Sequence, residues 1–208
     1  MDSFLLLSQA IEAYTAHGWS IIPIRSGDKR PLVRWEEFQY RRPRAEEVHA
    51  WFSGWPDAGM GVVTGAVSGL VVLDIDPRHG GEASLERLQS QHFRLPTTVE
   101  CRSGGGGRHL YFAHPGAFVR NKAGLAPGVD LRGDGGYVVA PPSLHASGLR
   151  YAWVGDRRPK TSDLARCRAG CAGWRSTDLV DSGIRSPIGF GSSGRAFARV
   201  NVTTRSLP

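Results

Sequence analysis

From Phe4 to His17 the apolar residues Leu6, Ala10, Ile11 and Tyr14 recur at the spacing of one helix face, and Gly18 stands where a helix stops. An amphipathic opening helix is expected. Trp19 to Ile24 reads as a short buried strand, with Pro23 placing it near a strand end or a sheet edge, and Ser26-Gly27-Asp28 as a polar turn. Pro43 and Arg44 open a second helix with Ala45, Val48, Trp51 and Phe52 on one face, ended by Gly54 to Pro56. Gly61 to Thr64 and Gly69 to Ile75 are β-branched runs separated by a glycine-containing turn, and they predict adjacent strands. Gly81 to Gln91 predicts a helix, Thr97 to Arg102 and His109 to Ala113 two strands around the glycines 104–107, and Tyr137 to Ala140 another buried strand.

Mixed elements of this kind make an α+β domain whose pattern ends near Val154, and residues 1–158 are taken as the domain. Beyond Pro159 the chain turns to Arg, Gly, Ser and Thr with few spaced apolar residues, so 159–208 reads as a linker, a disordered tail or a truncated continuation, with little structure expected. No internal repeat is visible.

Composition sharpens this only in part. With 208 residues, 40% of them apolar, and six tryptophans, the chain buries a core of its own and suits one domain with appendages. A net charge of +7 favours a polyanionic partner without naming it. Three cysteines, Cys101, Cys167 and Cys171, are an odd number with no disulfide framework, which suits a reducing compartment. Cys167 and Cys171 lack a second ligand pair for zinc and read as unpaired thiols. The apolar stretch Phe4 to Leu7 is too short for a membrane span and lacks the basic flank of a signal peptide, so no membrane association and a cytoplasmic location are expected.

Chemistry concentrates in three places. In Leu70-Val-Val-Leu-Asp74-Ile-Asp76 the two acids are two apart on a strand and face the same way, an arrangement that repels unless a cation lies between them; alternatively, Asp76 before Pro77 begins a turn. Arg102-Ser-Gly-Gly-Gly-Gly-Arg-His109 sets a glycine turn, able to approach phosphate, before a strand that carries Arg108 and His109. It is not a P-loop, and a plain hairpin with His109 packed on the sheet is the other reading. In Pro127-Gly-Val-Asp130-Leu-Arg132, Asp130 and Arg132 share a strand face; the glycines after them permit a tight return into Tyr137 to Ala140, and Asp134 is expected to be an ordinary turn aspartate.

Taken together, these segments resemble the bifunctional primase-polymerase N-terminal domain of the archaeo-eukaryotic primase superfamily: paired strand acids, then a glycine-histidine strand, then a lone aspartate. The resemblance spans about residues 8 to 155 and includes Gly18-Trp19 and Lys29-Arg-Pro31 to Trp35. It implies a primase-like core, with a mixed or antiparallel sheet, an RRM-like module and flanking helices. It further implies a template-dependent nucleotidyltransferase, a DNA primase or polymerase, in which Asp74, Asp76 and Asp130 hold two Mg2+ or Mn2+ ions and His109 meets the phosphates of the incoming nucleoside triphosphate. Arg108 and Arg132 are further candidates for the nucleotide. The chain has Asp-x-Asp where relatives often have Asp-x-Glu, and Gly107 where a serine is frequent, so Ser103 or the loop amides are expected to substitute. Relatives often precede a helicase in one chain; no Walker motif occurs in this sequence, so either a replicative helicase acts in trans or the chain is a fragment.

Lys29, Arg30, Arg34 and Trp35, in a basic stretch that continues through Arg41, Arg42 and Arg44 with Phe38 and Tyr40 interleaved, are candidates for binding a single-stranded DNA template. A solvated positive loop whose aromatics belong to the core is the competing reading. Two other functions would use only part of these residues. A glycosyltransferase would use Asp74 and Asp76 alone on a nucleotide sugar, and a non-catalytic module would hold single strands without any carboxylate cluster.

Overall fold

A computed structural model describes residues 3–92, 94–159 and 163–166. Three helices, α1 (Ser3–Ala16), α2 (Ala45–Gly54) and α3 (Gly81–Gln91), accompany ten strands. The strands are β1 (Ser20–Ile24), β2 (Gly59–Val63), β3 (Leu70–Ile75), β4 (Val99–Arg102), β5 (Arg108–Ala113), β6 (Lys122–Ala126), β7 (Val129–Arg132), β8 (Tyr137–Ala140), β9 (Ala152–Trp153) and β10 (Ala165–Arg166). They form two sheets. A small antiparallel sheet has the order β1-β2-β8, and a large one the order β6-β7-β3-β5-β4-β9, with β10 lying parallel to the end of β5. The fold is α+β, as the pattern of elements predicts.

Strand alternation explains how the layers meet. Along β3, Val71, Leu73 and Ile75 point to one face, where they pack with Leu85 and Leu88 of α3 and with Leu110 and Phe112 of β5. Leu70 and Val72 point to the other, into a core shared with the small sheet and with Tyr14 of α1 and Phe52 of α2. A run of apolar residues on β3 is therefore required, because both its faces are covered. Between the sheets Trp19 stacks on Tyr111 (5.9 Å between centroids, 8° between planes) and Trp153 meets Tyr111 edge-on at 5.2 Å. Cys101 lies in this core, and burial pushes its thiol well up, so it is an inert apolar filler.

Three expectations are corrected. Strands β2 and β3 are not neighbours: β2 is flanked by β1 and β8, β3 by β5 and β7, and the turn between them carries the chain from one sheet to the other. Gly65 and Gly69, both at positive φ, make that change of direction possible. Likewise the glycines after β7 do not fold it back on β8, which pairs in the small sheet. Asp134 does lie in the turn closed by the Gly136 amide on Gly133 O (3.2 Å), yet it is no ordinary turn aspartate. Its carboxylate accepts hydrogen bonds from the amides of Ala66 (2.9 Å) and Val119 (2.7 Å) and contacts His114 Nε2 at 3.1 Å, tying three segments together.

Pro23 sits on an edge strand, as expected. Past the boundary placed at 158, Ala165 and Arg166 pair with Phe112 and Ala113. The rest of the tail, Cys167 and Cys171 included, lies outside the described residues. No helix among the described residues is long and apolar enough to cross a membrane.

Candidate active site

Register brings the three sequence motifs together. In the antiparallel ladders of the large sheet, Asp74 of β3 is directly opposite Asp130 of β7 on one side and His109 of β5 on the other, and His109 is opposite Cys101 of β4. Residues directly opposite have Cβ atoms about 5 Å apart, so Asp130, Asp74 and His109 form one row across three strands on the face toward the small sheet. Two like charges side by side destabilise a sheet unless compensated. Arg132, one pair along on the same face of β7, compensates them: its guanidinium lies 2.6 Å from Asp130 and 3.7 Å from Asp74.

The row opens into a cavity of two adjoining chambers of about 350 and 420 Å3, which share Lys29, Asp74, His109, Arg132 and Tyr151. One chamber adds Asp76, Asp130, Ser103, Gly107, Arg78 and His79. The other adds Trp35 and Tyr137, packed edge-to-face at 4.8 Å, with Asn121 and Gly135. With the exception of Arg108, the residues expected at the metal and phosphate, and part of those expected at the template, thus line two adjoining chambers.

Asp76 lies just past the end of β3. It caps the short 3-10 turn Pro77–His79 by accepting from the Arg78 amide (2.9 Å), and it contacts His79 Nδ1 at 2.8 Å. Against the penalty of partial burial, these two partners hold its carboxyl below the usual range. Both readings of Asp76, turn former and cavity acid, therefore apply at once. His109 is buried, its Nε2 is 3.5 Å from Asp74, and its Nδ1 makes no well-aligned hydrogen bond among the described residues. Burial depresses the imidazole below its ordinary value despite the opposing pull of Asp74, so it is neutral at pH 7. Burial, with Cys101 and Asp74 adding to it, pushes Tyr151 up to about 12, which keeps it a phenol.

The glycine turn is closed by its own serine. Ser103 Oγ accepts from the Gly107 amide at 2.9 Å, and a Cβ at Gly107 would come within 3.0 Å of that oxygen. A serine at position 107 would crowd it, so Ser103 supplies the hydroxyl on this wall.

Arg108 is placed elsewhere. Adjacent residues of a strand face opposite ways, and Arg108 points to the α3 side, where it pairs with Glu82 and with buried Glu100, each at 2.8 Å. Within the basic stretch, Lys29 and Trp35 reach the cavity while Arg30 is paired with Asp28 and Arg34 is exposed away from it. Arg41 is held by Glu37 and Glu47, and Phe38 is buried.

A hard divalent cation takes carboxylate oxygens, and the donor set Asp74, Asp76 and Asp130 on one cavity wall suits it. As the side chains stand, no three His, Cys, Asp or Glu among the described residues are gathered closely enough to hold an ion. The reason is that Asp130 is engaged by Arg132 and by the Gly124 amide (2.7 Å), and Asp76 by Arg78 and His79. Arg132 occupies the place of counter-charge.

Comparison with known families completes the picture. The family described as bifunctional DNA primase/polymerase, N-terminal, matches residues 11–167. The chain belongs to this family. Membership places it in a family of primase/polymerase-type nucleotidyltransferases and argues against the glycosyltransferase reading, which left Asp130 and His109 without a role. No curated protein matches the sequence. The primase/polymerase cavity also contains residues that the sequence motifs did not single out: Asn121, Tyr137 and Tyr151 around His109, and Arg78, His79 and His145 around the acids. Arg78 and His79, two and three residues past Asp76, carry a signal through their nearness to that motif.

Proposed function

We propose that the chain is a template-directed nucleotidyltransferase that makes or extends DNA primers in replication, with Asp74, Asp76 and Asp130 as ligands of two Mg2+ or Mn2+ ions. One observation carries the proposal: the row Asp130, Asp74, His109 lies across three hydrogen-bonded strands and faces a single cavity. When bound, such ions lower the pKa of an attacking 3′-hydroxyl and neutralise charge on the leaving pyrophosphate.

The chain's own residues then have distinct tasks. Arg132 presents a guanidinium beside the acids, where charge builds on the transferring phosphoryl group, and a fixed cation there favours the transition state over the ground state. Neutral His109 offers a single N–H donor at a fixed position, since both its strand neighbours are clamped in the sheet. Ser103, already accepting from Gly107, keeps its own hydrogen to donate to a phosphate oxygen. Lys29 contributes mobile positive charge at the mouth of both chambers, and Trp35 with Tyr137 forms an aromatic wall suited to a base. Single-stranded DNA and nucleoside triphosphates are the partners this reading requires, and a replicative helicase acting in trans is compatible with it.

The test is primer synthesis on single-stranded DNA with and without Mg2+ or Mn2+, comparing wild type with Asp130→Ala. Metal-dependent product from wild type, lost in the variant, is expected. Equal product from both removes Asp130 from the site, and none from wild type under any metal removes the activity.

A further inference from the structure

Among the described residues, the two most exposed large apolar side chains are Tyr40, 87% exposed, and Phe118, 78% exposed. They come from different parts of the chain, one following the 3-10 turn Glu36–Gln39 and the other lying in the loop between β5 and β6, yet they line the same cleft of about 570 Å3. Two aromatic rings left in water at one site are a costly arrangement for a surface with no partner.

The cleft adjoins the catalytic cavity. Gly135 belongs to the linings of both, and Gln39 lies over it, 3.5 Å from where a Cβ would stand. Aromatic groups therefore continue outward from the site: Trp35 and Tyr137 within the chamber, then Tyr40 and Phe118 beyond Gly135. Two arginines border the cleft without lining it. Arg42, two residues from Tyr40, donates its Nε to the carbonyl oxygen of Val67, a residue of the cleft wall, while its guanidinium packs beside Gly18. Arg120, two residues from Phe118, is exposed and makes no ion pair with the described residues. The acid in the lining, Asp134, is turned inward to Ala66, Val119 and His114.

We infer that this cleft is a stacking platform for the single-stranded template on its way to or from the catalytic cavity, with Tyr40 and Phe118 each holding one base. Bare aromatic faces continuous with a nucleotide-sized cavity and bordered by arginines are the combination that grips single strands without reading sequence. A protein partner would be expected to bury apolar residues more broadly, and the cleft has few besides these two rings. The inference rests on the template-directed reading above, and the experiment separates the two.

Binding of fluorescein-labelled oligo(dT) to the full chain is measured by anisotropy for wild type, Tyr40→Ala, Phe118→Ala and the double variant, alongside Tyr40→Phe. Each alanine is expected to weaken binding of a long oligonucleotide by roughly tenfold, as loss of one stacked base does, while Tyr40→Phe binds as wild type. An oligonucleotide too short to extend past the cavity should bind all variants alike. Both side chains are too exposed for their loss to unfold the protein. Unchanged affinity in the double variant overturns the inference, and so does a change of oligomeric state on ultracentrifugation with DNA affinity intact, which would assign the rings to a protein interface. If wild type binds DNA through these rings but incorporates no nucleotide, the platform stands and the catalytic reading falls.

Discussion

Replacing Asp134 by alanine offers a demanding check, because it tests a structural claim that the local sequence argues against. The substitution removes one carboxylate and leaves the amides of Ala66 and Val119, previously bonded at 2.9 and 2.7 Å, without their acceptor, as well as His114. A hydrogen bond to a charged group contributes about 1.5 to 3 kcal/mol, so the two amide bonds give roughly 3 to 6 kcal/mol before water is considered. The side chain of Asp134 is 18% exposed, enough for water to reach part of the site, which favours the lower end, about 3 kcal/mol. For a chain of this size each kcal/mol lowers Tm by about 2 to 4 °C, giving a fall of roughly 6 to 12 °C. Urea or thermal unfolding at pH 7, followed by tryptophan fluorescence, measures it. The pH dependence supplies an internal control. Burial raises the carboxyl and the amide bonds outweigh it, so its folded pKa lies below its unfolded value. The charge-dependent part of the stabilisation is thus present above about pH 4 and is lost as pH falls through the folded pKa, so the difference between wild type and variant should narrow in acid. A loss of under 1 kcal/mol at pH 7, or a difference that widens in acid, refutes the assignment of Asp134 as the tie between the three loops.

Other outcomes follow from the same geometry. Gly81→Ala should destabilise by about 1 to 3 kcal/mol in urea unfolding although alanine favours helices, because its Cβ would lie 2.4 Å from Gly128 O and 2.7 Å from Asp76 O. Arg108→Ala should cost about 2 kcal/mol, since buried Glu100 keeps only Arg157 as an ion-pair partner among the described residues, while the KM for nucleotide stays within about twofold of wild type; a large rise in KM would return Arg108 to the site. His109 is held neutral by burial, so its folded pKa is below the unfolded one and stability should decline as pH falls below about 6.5; a His109→Asn variant should lose that slope in urea unfolding across pH 5 to 7.

Much of this was legible in the sequence, and the limits have physical causes. Helices α1, α2 and α3 and most strands announce themselves by local periodicity, which depends only on which face is buried. Partner strands are not local: the runs of β2 and β3 look alike because both are buried on both faces, and nothing in the pattern says they belong to different sheets. The meeting of Asp130 with Asp74 depends on register between strands some fifty residues apart in the chain, and only the family resemblance connected them beforehand. Arg108 is a different case. Its position next to His109 on one strand already implied the opposite face, so alternation alone would have excluded it. Asn121 and Tyr151 sit outside the strands that bear the acids and carry no sequence signal of their placement.

Mn2+ binding in the presence of a deoxynucleoside triphosphate, followed by electron paramagnetic resonance, tests the central claim most directly when wild type is compared with Asp74→Asn. The account predicts at least a tenfold weaker binding of Mn2+ and loss of templated incorporation in the variant, with the fold intact by circular dichroism. Wild-type Mn2+ affinity together with wild-type incorporation in Asp74→Asn would contradict it.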